Sequence, residues 1–226
     1  MTAEEYGRLL NRIRNEVETA SAAFYTAKEI NRFALENLEN YEKLNRDARF
    51  WNLQVHALQT AYLMGLGRLF DKRSDVHSMI GLLKSTEANP GYFSKAALAE
   101  RKRSILGGQK PEAVEISLEG IWQPTRDELR KFQEELGPSL QIYRDRYATI
   151  RHKIFAHSGK DERVIADALG KTLLAEIDMM FLGLLEVMGG LYALFDNGVK
   201  HERCTGSHRY ALEIEQGTRD VLKRLG

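Results

Sequence analysis

The chain has 226 residues, of which 43% are apolar and 29% charged. That mix excludes a disordered chain and fits a single domain with appendages. Lys and Arg number 33 against 32 Asp and Glu, so no bulk positive field holds nucleic acid and any RNA contact needs a local patch.

A single cysteine, Cys204, excludes an intramolecular disulfide framework and suits a reducing compartment. The opening MTAEEYGRLL has no charged-then-apolar leader, so it reads as mature sequence, and the cytoplasm is the expected location. With only four prolines and helical spacing of apolar residues in nearly every segment, the chain is predicted to be all-α.

Thr2 with Glu5 forms a capping-box pattern that opens a helix or helix pair through about residue 44, with Leu9, Leu10, Ile13 and Val17 on one face. The next helix, about Asp47 to Phe70, carries Phe50, Trp51, Leu53, Leu58, Tyr62, Leu66 and Leu69 as a wide apolar face for a bundle interior. Gly65 and Gly67 permit close backbone approach there. Asp71 to Ser74 breaks the helix, Asp71 being read as a cap for the short helix that follows. Asn89-Pro90-Gly91 predicts a turn, and a helix from about Tyr92 to Leu106 comes next.

Residues 107–124 read as a long connection. Thr125-x-x-Glu128 is a second capping box. Gly137-Pro138 is expected to kink or split the helix it opens, with Pro138 starting a new one. That new helix is expected to end at Ser158-Gly159. The apolar run 179–195 contains Glu186 and is read as part of a buried core helix from about Thr172 to Asp196, ending at Asn197-Gly198. Gly183 and Gly190, two turns apart on it, suggest a close helix crossing. A terminal amphipathic helix is expected from about Ser207 to Leu225.

The densest chemistry lies in YATIRHKIFAHSGK, residues 147–160. Tyr143, Tyr147, Ile150 and Ile154 recur at four, three and four, which makes a core-facing stripe. Arg144 and Arg151 lie seven apart on a neighbouring face. His157 is about 120° round an ideal helix from Arg151, so the two converge only at a frayed end or across two chains.

The Arg-His-x-x-x-x-His spacing of Arg151, His152 and His157 resembles the signature of the HEPN superfamily. Residues 50–84, with an aromatic-rich helix, an Arg-Leu-Phe-Asp turn and a short helix, resemble its abortive-infection U-like branch. The resemblance covers roughly residues 45–197. It implies a HEPN-like four-helix bundle with additional N- and C-terminal helices. It also implies a metal-independent endoribonuclease, without cofactor, assembled from two copies in phage defence or as a toxin. Arg151, His152 and His157 would then be catalytic and leave 2′,3′-cyclic phosphate ends. Arg144, Arg146, Lys153 and Lys160 would bind RNA. An antitoxin or a nucleotidyltransferase is a possible partner, and no membrane is expected. The competing class is a non-catalytic helical module that binds a protein or RNA.

Other features read more plainly. His201, Cys204 and His208 fall short of the four ligands of a closed zinc site, so a surface thiol near two histidines is expected and no metal. Glu100-Arg101-Lys102-Arg103 reads as a solvated helix face, or else an extension of the RNA track. Trp51 and Trp122 read as packing anchors before base-stacking platforms, Trp122 being the better RNA candidate. The glycines lack P-loop spacing.

Overall fold

The reciprocal cap at the start is formed: the Thr2 hydroxyl accepts from the Glu5 N–H at 3.2 Å, and the Glu5 carboxylate accepts from the Thr2 N–H at 2.6 Å. Helix α1 runs Ala3–Glu36 from that cap. Asn37, whose side chain accepts from the Asn40 N–H at 2.8 Å, ends α1 and opens α2, Leu38–Asn45. The structure, a computed structural model, describes residues 1–73, 77–105, 118–148, 173–200 and 206–225.

The chain continues through α3 (Ala48–Leu69), α4 (Met79–Ala88), a 3-10 turn at Pro90–Phe93 and α5 (Lys95–Ile105). Then come α6 (Arg126–Ile142), a π turn at Tyr143–Tyr147, α7 (Leu174–Asn197) and α8 (Gly206–Leu222). Among the described residues there is no strand, and the all-α expectation holds.

Helix α7 lies at the centre, with Ile177, Met180, Phe181, Leu184, Leu191 and Leu194 buried. It is long and apolar enough to cross a membrane by length and composition, but half of its apolar window is buried among its neighbours, as in a core helix. Helix α1 packs antiparallel to it: Tyr6 meets Phe195 at 5.2 Å, Phe24 stacks on Phe181 at 5.4 Å, and Lys28 pairs with Asp178 at 3.0 Å. Helix α3 is antiparallel to α1 in turn, with Tyr62 against Phe24 and Arg68 paired with Glu16. Helix α8 runs parallel to α1, its Tyr210 hydroxyl donating to the Glu18 carbonyl at 3.0 Å and Arg219 pairing with the buried Glu29 at 2.6 Å. These directions put the end of α1, all of α2, the start of α3 and the start of α7 at one end of the bundle.

Several expectations are corrected. Pro138 neither starts nor splits a helix, because α6 runs unbroken through it to Ile142. The ring is on the solvent face, so the carbonyl it leaves without a donor faces water, while Phe132, Leu136 and Ser139 continue the buried stripe past it. Asp71 does not cap α4: it accepts from the Arg73 N–H, and Ser78 caps by accepting from the Gly81 N–H. Helix α5 starts at Lys95, not Tyr92, because Ser94 accepts from the Ala97 N–H after the 3-10 turn. Phe50 and Leu53, placed in the core by their spacing, are more than half exposed.

Arg101 is not part of a solvated face. Its guanidinium donates to the Tyr92 and Phe195 carbonyls at 2.9 and 2.7 Å and lies 3.9 Å over the Phe195 ring. Trp51 and Trp122 are packing anchors, each half-buried against a core cluster. The stop at Asn197-Gly198 holds, with Gly198 left-handed at φ 63°. Gly65 and Gly183 are close crossings: an added Cβ would lie 2.5 Å from the Ala20 Cβ and 2.8 Å from the Ser139 Oγ.

Candidate functional site

Arg151, His152 and His157 lie outside the described residues, as do Lys153, Lys160, Ile150 and Ile154. What the structure sets out is the frame on either side of them. Helix α6 keeps Leu129, Phe132, Leu136 and Ser139 buried, and the stripe passes on to Tyr143 and Tyr147. Both tyrosines are buried, as their spacing predicts; Tyr143 packs on Phe70 at 5.0 Å.

The backbone at Tyr143–Tyr147 is not an ordinary helix turn. It is a π turn, in which the Ala148 N–H donates to the Tyr143 carbonyl. Such one-turn widenings add a residue to the helix and recur at functional sites. Here the extra residue carries the chain from the end of α6 to the point where Tyr147 points inward and Arg144 and Arg146 point outward.

Tyr147 then closes a clamp. Its hydroxyl accepts from the Leu173 N–H at 3.2 Å and has its own proton available to the Leu173 carbonyl at 3.3 Å or the Glu176 carboxylate at 3.2 Å. Burial, more than the neighbouring Glu176, pushes the Tyr147 phenol up to about 12, so it stays a donor at neutral pH. The other Glu176 oxygen pairs with Arg146 at 2.7 Å. Residues 147 and 173, which flank the stretch carrying the Arg-His-x-x-x-x-His spacing, are therefore held within hydrogen-bonding distance of each other.

Of the basic residues expected to meet RNA, Arg144 is exposed, while Arg146 is engaged by Glu176. Glu176 and Leu173 have no counterpart in the sequence reading, since a partner 29 residues away leaves no local signal. His208 is exposed, and His201 and Cys204 lie outside the described residues. Among the described residues no cluster of His, Cys, Asp and Glu could hold a metal ion.

Among the described residues, the fold and this frame define an all-helical module in which Tyr147 ties the end of the π turn to the start of α7. The family model HEPN_AbiU2, described as AbiU2, matches residues 3–222. The chain belongs to this abortive-infection U2 family of the HEPN superfamily. The match runs beyond the 45–197 span of the sequence resemblance, taking in α1, α2 and α8. No curated protein and no solved structure matches the chain.

Proposed function

We propose that the protein is a metal-independent endoribonuclease of HEPN type, acting in abortive infection or as a toxin, with its site completed by a second copy. The observation that carries this reading is the family match over nearly the whole chain, together with Arg151-His152-x-x-x-x-His157 a few residues beyond the Tyr147 clamp.

The chemistry follows from the residue types. Cleavage at the RNA 2′-hydroxyl needs a base to take that proton, an acid to protonate the leaving 5′-oxygen, and positive charge on the phosphorane oxygens. His157 of one copy is the base and His157 of the other the acid, since imidazole holds either state near neutrality. Arg151 offers a planar fork of donors to the phosphate. His152 orients the pair. The 2′-oxygen bonds to phosphorus as the bond to the 5′-oxygen breaks, leaving a 2′,3′-cyclic phosphate and a 5′-hydroxyl. Arg144, Lys153 and Lys160 meet the RNA backbone, and Arg146 joins them only by exchanging Glu176 for a phosphate.

The test is cleavage of end-labelled RNA in EDTA by wild type, Arg151→Ala and His157→Ala. Loss of about 100-fold or more in both variants is expected, the usual size of a general acid–base contribution. Full activity in His157→Ala would overturn the reading. The near-balance of charge, +1 overall, favours a second reading, a non-catalytic module that docks to a protein such as an antitoxin or nucleotidyltransferase. RNA binding without cleavage, or neither, would support it.

A further inference from the structure

Helices α1, α7 and α8 leave a cleft of about 470 Å³ between them, within the range of ordinary small-molecule sites. Its floor is apolar: Val17 of α1 and Met188 of α7 are buried there, and Leu185 is half-buried beside them. Gly189 lines the same α7 face, is exposed and brings no side chain, so a ligand can lie against the helix backbone. The cleft is not part of the Tyr147 clamp. Gly189 stands about 22 Å along α7 from Leu174, at the rise of an α-helix.

The polar groups over this floor are few and fixed. Arg14 donates its Nε–H to the Glu18 carboxylate at 2.7 Å, and its guanidinium carbon lies 4.4 Å from the centre of the Tyr192 ring. The Glu18 backbone is held as well, its carbonyl accepting from the Tyr210 hydroxyl at 3.0 Å. Ion pairs on a protein surface usually lose their gain to side-chain freedom. Here ring stacking and hydrogen bonding hold a donor and an acceptor side by side at the edge of an apolar slot. Glu18 takes the Nε–H only, so the terminal nitrogens of Arg14 are not spent on it, and a carboxylate has lone pairs beyond the one that Arg14 uses.

We propose that this cleft binds the base of a guanine nucleotide. The guanine edge sets one carbonyl oxygen beside two N–H donors, and Arg14 next to Glu18 is the complementary order. O6 accepts from a terminal N–H of Arg14, while N1–H and N2–H donate to the Glu18 carboxylate. The flat ring lies on Leu185, Met188 and the open face of Gly189, with Tyr192 and Tyr210 also lining the cleft. Other occupants match less well. A bare anion meets the Glu18 charge, an aliphatic ligand leaves the ion pair unanswered, and uracil has one donor where guanine has two. Asn197 and Ser207, which also line the cleft, suit the ribose and phosphate. The site does not rest on the nuclease reading.

The experiment is isothermal titration of the full chain with GMP, with UMP and inorganic phosphate in parallel. GMP is expected to bind in the micromolar range, about 10-fold or more tighter than UMP, the size of one good bidentate base contact, and phosphate alone to give no heat. GMP should also raise the melting temperature, since it binds only the folded chain. Glu18→Gln, which replaces an acceptor oxygen with a donor, should weaken GMP by about 10-fold or more. Gly189→Leu fills the slot and should abolish binding; at an exposed helical position it should leave the melting temperature of the free chain unchanged or higher. Absence of GMP binding at about 1 mM, UMP or phosphate binding as tightly as GMP, or wild-type affinity in Glu18→Gln or in folded Gly189→Leu overturns the site. Arg151-dependent RNA cleavage by a chain that binds no GMP sinks this site alone; GMP binding without any cleavage sinks the nuclease alone.

Discussion

Gly65 is buried where α3 crosses α1, and the atom a Cβ would meet at 2.5 Å is another Cβ, that of Ala20, which cannot swing aside. Gly65→Ala gains helix propensity of about 1 kcal/mol. It also forces two backbones apart, which costs about 1–3 kcal/mol. A net loss of up to about 2 kcal/mol in urea unfolding is expected. Adding Ala20→Gly should recover most of it, a coupling that separates crossing distance from a general effect of the methyl. Arg101 is the opposite case, a residue that looks like surface and is fixed inside by two carbonyls and a ring. Its guanidinium fork spans both acceptors at once, a geometry that lysine lacks.

At the scale of an element, α6 tolerates Pro138 because only solvent sees the missing hydrogen bond. A proline inside a helix costs about 3 kcal/mol, of which unfolded-state stiffening returns about 0.4–1 kcal/mol. Pro138→Ala should therefore raise stability by about 2–2.5 kcal/mol, seen as a higher melting temperature with the helical content unchanged. A fall in stability would mean that the proline holds the path from α6 into the π turn. Helix α8 is attached differently, by Arg219 and Lys28 meeting the buried Glu29 and Glu215 over the side of α1. Arg219 also pairs with Glu36, and Arg32 approaches the second Glu29 oxygen as an ion pair without hydrogen-bond alignment.

For the whole molecule, the buried tyrosines set an alkaline limit. Burial pushes Tyr62 and Tyr147 up to about 12, and Tyr6 and Tyr25 further. A phenol whose folded pKa is above the ordinary value near 10 ionises first in the unfolded chain. Its stabilising share is complete below pH 10 and is lost as the pH rises through the folded values. Stability should thus fall steeply from about pH 10 to 12. The tyrosinate absorbance and the loss of helical circular dichroism should coincide on titration. Full ionisation with helices intact would contradict the burial of these rings.

The sequence by itself determined the caps at Thr2 and Thr125, the stop at Gly198, the glycine crossing at position 65 and the inward stripe through Tyr143 and Tyr147. Each depends on residues within a turn or two of one another or on helical period, and such signals are complete before the chain folds. Only the tertiary structure decided that Phe50 and Leu53 stay outside, that Arg101 turns in, and that Tyr147 closes on Leu173 and Glu176. An apolar helix reads the same on both faces until another helix covers one of them. A hydrogen bond between residues 26 or 94 apart exists only once the bundle has brought the two segments together.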